Sequence, residues 1–402
     1  MRAALASLLM MISLPAAAQE PAPAQDEQPG EPIIVTGIRI QDYRTRLEAC
    51  LARNCPPNED ADATLALAEA LFLNGDYEEG RLAVHESLRR NRDEARGYPE
   101  PVSDLYRAHS RLSRHLGFDA DALRSTHGIL DALQDGIPQE DYRHFTARFE
   151  IAEMQMMMGR LNGAERELSR LAGAARAAGR EDVATMAELR TLWYQWIAFP
   201  EGPARSRLIE MSRWTDPGRR MQTIGAKILL ARIYRSQNDH ERADALLAEV
   251  GRGNSTQRRL IHSPTYQLLQ QDFGAVLDQD VQTAVAFGNT LNRIPDNYVD
   301  KWIDVGFWVL PDGHVSGLEL LRRGGNAGWS DPLMESIRGR LYSTAEEATY
   351  RLERYTYTAG YEAATGTRIR QQGPRARVEF FDLTGIERPP PPPTPTSETP
   401  SN

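Results

Sequence analysis

Three glycines constrain the first two-thirds of this chain more than any other feature: Gly75, Gly117 and Gly159 recur at intervals of 42 residues. Gly75 is followed by Tyr77 and Gly80, Gly117 by Phe118 and Ala122, and Gly159 by Leu161 and Ala164. Each copy has an aromatic or aliphatic residue one or two places on and a small residue five places on. A fourth copy is blurred around Phe199 to Ala204, and a fifth reads Ser236-Gln237-Asn238-Asp239-His240 with Ala243. Such a period marks stacked helix pairs, because one pair cannot bury its apolar face alone. The glycine closes the turn within a pair, and the small residue lets the second helix approach the first. Residues 43–295 are therefore expected to form an α-helical solenoid.

A second pattern begins at Trp302. Ile303, Val305, Phe307 and Val309 alternate with Asp304 and Gly306, the period of a half-buried strand. Pro311 ends it, Asp312-Gly313 supplies a tight primed turn, and Val315, Leu318 and Leu320 lead back. After a glycine-rich loop from Arg322 to Trp329, Asp331 caps a helix opened by Pro332, with Leu333, Ile337 and Leu341 on one face. Tyr350 to Thr358 and Arg375 to Leu383 read as two more strands. The order β-β-α-β-β over 296–386 predicts one helix on an antiparallel sheet, so the fold class is α+β.

The N-terminus predicts an address. Arg2, the apolar run Ala3 to Leu14 and Ala16-Ala17-Ala18 make residues 1–18 a cleavable signal peptide with no lipidation cysteine after it. The expected location is the bacterial periplasm, with no membrane-spanning segment after cleavage. Residues 19–42 form a polar leader, rich in Pro, Ala and Gln, that carries a strand-like segment, Ile33 to Ile40. Residues 387–402 form a Pro-rich tail. A net charge of −9 argues against a general nucleic-acid binder, which needs a basic surface. Cys50 and Cys55 are too few for a zinc site. They can close a disulfide if the helix carrying Cys50 ends at Asn54, Pro56 and Pro57; in an unbroken helix their side chains diverge.

The repeats resemble the tetratricopeptide family. Gly75 with Tyr77 and Gly80, and Ala231 with Tyr234 and Ala243, fit its small-aromatic-small pattern over about residues 60–250. The period is longer than the family's usual one, and the first-helix tryptophan is missing. The resemblance implies an interaction scaffold with a groove lined by first helices, into which Glu69, Glu153, Arg232 and Arg235 would project. The run DVGFWVLPDGHV from Asp304, with Leu320, the glycine loop, Asp331 to Ile337 and Leu341-Tyr342, resembles the C-terminal domain of TonB-type energy transducers. A transducer has an uncleaved anchor and a long Pro-rich spacer, so the resemblance implies a fold and strand binding, not energy transduction. Glu31 to Gly37, EPIIVTG, is similar to the TonB box of outer-membrane receptors. It implies that Ile33, Ile34, Val35, Thr36 and Gly37 add as a strand to a sheet edge, either this chain's own or a transducer's.

No hydrolase, zincin or phosphate-loop motif is present, and the histidines are scattered; His109 and His115 read as surface or packing residues. Met154, Met156, Met157, Met158, Trp193, Tyr194 and Trp196 read as packing between repeats. The sequence thus predicts a non-enzymatic periplasmic scaffold that uses no cofactor or metal and binds envelope proteins or peptides, TonB-system components among them. The alternative is a cell-wall or polysaccharide-binding accessory factor, with Arg368, Arg370, Arg375 and Arg377 as its basic stretch.

Overall fold

The computed structural model describes residues 40–134, 136–250, 260–264, 301–363 and 370–385. The signal peptide, the segment Ile33 to Gly37, Arg368 and the Pro-rich tail lie outside the described residues, as do residues 265–300, where further helices and a hinge are expected.

Eleven helices are described before the first strand. They are α1 (Ile40–Ala52), α2 (Pro57–Asn74), α3 (Tyr77–Asn91), α4 (Pro99–His115), α5 (Asp119–Gln134), α6 (Tyr142–Met157), α7 (Leu161–Ala177), α8 (Glu181–Ala198), α9 (Ala204–Ser212), α10 (Arg220–Ser236) and α11 (His240–Val250). Ile40, read as the end of a strand-like segment, instead opens α1. Asp42 in the first turn of that helix suits the positive end of its dipole. From α2 onward the helices form antiparallel pairs, and the periodic glycines lie where the spacing puts them. Gly75, Gly117 and Gly159 are all left-handed, with φ of 94°, 81° and 70°, and close the turns α2–α3, α4–α5 and α6–α7. Each reuses carbonyls its helix leaves unpaired: Gly75 N–H donates to Phe72 O and Asp76 N–H to Leu71 O. Asn238, φ 62°, does the same service between α10 and α11. The small residues Gly80, Ala122, Ala164 and Ala243 are buried between paired helices.

The rest is a four-stranded antiparallel sheet in the order β3-β2-β5-β6, built from β2 (Trp302–Val309), β3 (Val315–Gly324), β5 (Thr349–Ala363) and β6 (Arg370–Asp382). The helix α12 (Asp331–Arg338) and the short strand β4 (Leu341–Tyr342) lie between β3 and β5. β4 pairs with β1 (Leu260–His262), a strand within the span 43–295 where only helices are expected. The turn between β2 and β3 also differs from expectation. Gly313 N–H donates to Leu310 O, and Gly313 is the one residue of the loop at positive φ, 93°. This is a three-residue loop with a left-handed glycine rather than a two-residue primed turn, because Pro311 fixes the φ an ordinary turn wants at its first central position.

The larger correction concerns β2, whose eight residues are all buried. Ile303, Val305, Phe307 and Val309 pack with Leu333 and Ile337 of α12 and with Trp329, Tyr355 and Tyr357. Trp302, on the opposite face, packs with Leu352 and Leu383 against Phe72, Tyr77, Leu105 and Leu112 of the helical array. The sheet is a middle layer between α12 and the first two helix pairs. The α+β class holds, with the two parts sharing one core.

Candidate protein-interaction face

Because the sheet docks on the array, polar groups at the contact must find partners there. Arg354 on β5 is fully buried and does most of this. Its Nε and Nη2 donate to Asp304 Oδ1 and Oδ2 at 2.6 and 2.8 Å. Its Nη1 and Nη2 also donate to the carbonyls of Phe72 and Leu73, the latter at 2.9 Å, so a sheet arginine caps the negative end of α2. The guanidinium lies 3.8 Å above the Trp302 ring. Burial disfavours its charge, but the bond and charge of Asp304 together with Tyr77 outweigh this and hold its pKa above the ordinary value. Thr356 is bonded by both His115 Nδ1, at 2.8 Å, and the Tyr77 hydroxyl, at 3.1 Å. Burial pushes His115 down to about 3 and Tyr77 up to about 12.

A second anchor sits one helix pair along. Arg377 on β6 donates to both oxygens of Asp119, at 2.9 and 2.5 Å, to Glu379 at 2.7 Å and to Arg114 O at 3.2 Å. Arg114 in turn donates to the buried Glu379 at 2.6 Å. Burial would raise Glu379, but Arg114 and Arg377 hold its carboxyl below the ordinary range. Arg377, part of the basic stretch assigned above to cell-wall or polysaccharide binding, therefore bonds within the molecule.

Three of the four residues assigned to the groove fall on one repeating position. Glu69, Glu153 and Arg232 each stand six residues before the left-handed residue of their turn, Gly75, Gly159 or Asn238. Arg111 stands six before Gly117; the sequence reading missed it, although counting back from the glycine would have found it. Glu69 is exposed and lines a cavity of about 310 Å³ with Arg111, Phe72, Leu112, Phe381 and Leu383. The end of β6 and the residue after it thus lie against this position on α2 and α4. Glu153 is exposed on α6. Arg232 is half-buried on α10 with its guanidinium 4.7 Å from the centre of the Trp193 ring. Arg235 is turned toward the second helix of its own pair, bonded to Asp244 and His240 of α11.

Trp193 and Tyr194 pack with α6 and α7, and Trp193 also with α10, while Trp196 stacks on Trp193 at 5.1 Å. Met154 is buried and Met157 is half exposed. His109, like His115, is buried. Cys50 and Cys55 are disulfide-bonded, their Cα atoms 5.2 Å apart; α1 ends at Ala52, and Asn54 takes a positive φ between them. Among the described residues no helix is long and apolar enough to cross a membrane, and no cluster of three metal-ligating side chains occurs.

No family model matches this chain, and no curated protein matches it. Several solved structures are similar. BtubC (BKLC) from P. vanneervenii has a TM-score of 0.40 at 14% identity, over 57% of this chain and 96% of that one. The TPR-like repeats of a putative kinesin light chain from Podosopora anserina give 0.35 at 13% identity, over 52% and 93%. The apo form of the quorum sensor NprR from B. thuringiensis gives 0.36 at 15% identity, over 52% and 58%. Overlap this partial lends nothing to a statement about ligands. The helix-pair architecture rests on the turns and packing described above.

Proposed function

We propose that this protein is a non-enzymatic interaction scaffold of the bacterial periplasm that binds protein or peptide partners of the envelope along its first helices. One observation carries the reading. The chain's own sheet occupies the turn ends of the first two helix pairs, and Phe381 and Leu383 lie beside Glu69 and Arg111. The same face on α6, α8 and α10 presents Glu153, Arg190, Trp193 and Arg232, none of which touches the sheet in any hydrogen bond, ion pair or ring contact among the described residues. A surface that already holds one extended segment in its first half is suited to hold another in its second.

The periplasmic address rests on residues 1–18, and the link to TonB-system components on the two resemblances given above. On this reading Ile33 to Gly37 adds to a sheet edge, of which β3 and β6 are the two available here. The alternative of cell-wall binding is weaker, since Arg377 of its basic stretch is bonded to Asp119 and Glu379. Crosslinking in intact cells, followed by identification of the adducts, tests the proposal against this alternative. The scaffold reading expects discrete adducts with envelope proteins, reduced by deleting Ile33 to Ile40 where TonB components are among them. Sedimentation with isolated sacculi and no protein adducts would refute it.

A further inference from the structure

We infer that the face shared by α8 and α10 is a binding site for an acidic segment of a protein partner, with Arg190 and Arg232 each receiving a side-chain carboxylate beside the Trp193 ring. This rests on the scaffold reading and names the chemistry of what the scaffold holds. The array is rich in arginine, and its arginines are mostly answered by acids of their own or a neighbouring helix. Arg81 pairs with Glu78, Arg107 with Asp104 and Glu150, Arg148 with Glu167, Arg176 with Glu188 and Arg235 with Asp244. On the first-helix face Arg111, Arg190 and Arg232 form no ion pair among the described residues, and of these Arg111 is covered by Phe381 of the sheet, which leaves Arg190 and Arg232. Instead each lies over an aromatic ring, Arg190 5.8 Å from the centre of Tyr194 and Arg232 4.7 Å from that of Trp193.

Two like charges on adjacent helices repel, and both side chains are half-buried. Burial and the neighbouring Arg190 together lower the pKa of Arg232. Packing alone would be served as well by an apolar side chain, without the repulsion. A guanidinium has five N–H donors, so Arg232 over Trp193 and Arg190, which also bonds the Tyr194 hydroxyl, each keep donors to spare, and a guanidinium edge matches a carboxylate with two parallel hydrogen bonds. A second carboxylate on the same segment would relieve the repulsion between the arginines, so an acidic stretch should bind better than a single charge. Glu153, exposed on α6, sits toward Tyr194, whose pKa burial raises and Glu153 raises further. It bounds the positive region on that side and gives the groove a polarity along its length. A phosphodiester strand would also satisfy two arginines, but the chain's charge of −9 opposes a long polyanion more than a short acidic segment of a protein.

The test uses the full-length mature protein and a peptide of alternating Glu and Leu with an amidated C-terminus, followed by tryptophan fluorescence and calorimetry. Its Gln-for-Glu counterpart and a single-stranded oligothymidylate serve as comparisons. The expected result is binding of the Glu peptide, at least about tenfold tighter than the Gln peptide, weakening as salt rises. Arg190→Gln and Arg232→Gln should each reduce it about tenfold, while Arg89→Gln, on the second helix of the first pair, leaves it unchanged. Unaltered thermal unfolding of the variants shows that the loss is not one of folding. Equal affinity for the Glu and Gln peptides, undiminished binding by both variants, or oligothymidylate binding as tightly as the Glu peptide would each overturn the inference. If those failures occur while envelope adducts still form in cells, the scaffold reading survives and only the acidic partner is lost; absence of adducts removes the scaffold reading itself.

Discussion

Arg354 shows why the sheet and the array hold together at one place. Its guanidinium joins Asp304 of the sheet to two carbonyls at the end of α2, with no solvent exposure for either charged side chain. A buried pair of this kind adds little over well-packed apolar residues, but removing one partner strands the other in a low dielectric. Arg354→Met should therefore cost about 3–5 kcal/mol in urea unfolding, somewhat less to the extent that Arg322 still bonds Asp304. Arg89→Ala, which breaks an exposed pair with Glu86, should stay within about 0.5 kcal/mol. Equal losses from the two would mean that the contact at Arg354 is not formed. The buried imidazoles add a pH dependence. Burial lowers His115 to about 3 and, with help from Arg81 and His85, His109 to about 4, both below the unfolded value of 6.5. Below pH 6.5 the unfolded chain takes up these protons before the folded one does. Stability is thus complete above about pH 6.5 and falls toward pH 4, with a slope approaching about 1.4 kcal/mol per pH unit for each histidine. Urea midpoints at pH 7.5 and 5.0 check this, and His115→Gln should flatten the difference. A midpoint independent of pH over that window would show the histidines to be solvated.

The periodic glycines look alike in sequence and differ in what they touch. A side chain at Gly75 would collide with the Trp302 indole and one at Gly117 with the Ala359 carbonyl, whereas Gly159 has nothing within 4 Å. Gly159→Ala should therefore cost only the backbone strain of a left-handed alanine, about 1 kcal/mol. Gly117→Ala should cost that and the displacement of β5 as well, including the bond from Tyr361 N–H to Gly117 O. Similar losses at the two positions would contradict the docking of the sheet on the second turn. The difference marks the limit of what the sequence discloses. The turns were legible because a left-handed residue and the small residue after it are local requirements, met within six positions. The order of strands and α12 was legible from alternation and from Pro332. What covers β2 was not: Asp304 reads as a solvent-facing acid because its partner Arg354 is distant in sequence and the carbonyls of Phe72 and Leu73 more distant still. The same distance hid β1, whose three residues become a strand only by pairing with β4. On the candidate face, Glu69, Glu153 and Arg232 could be placed from the repeat, while the turning of Arg235 toward Asp244 and the absence of an ion pair at Arg190 among the described residues depend on packing between helices.

At the scale of the molecule, residues from Ile40 onward form one compact unit in which the first two helix pairs serve as the seat of the sheet. This division of labour leaves the later pairs, α6 to α11, to present a face of their own. It predicts that the sheet and its seat unfold together, because Trp302, Arg354, Arg377 and Phe381 each lose partners on α2 to α5 once the seat is gone. Native-state hydrogen exchange, read separately for α2 to α5 and for β2 and β5, tests this most directly. The expected result is that the slowest amides of both regions open with the same free energy, and that Arg354→Met lowers both by the same amount. A sheet that opens at a lower free energy than α2 and α4, with Arg354→Met affecting the sheet alone, would contradict it.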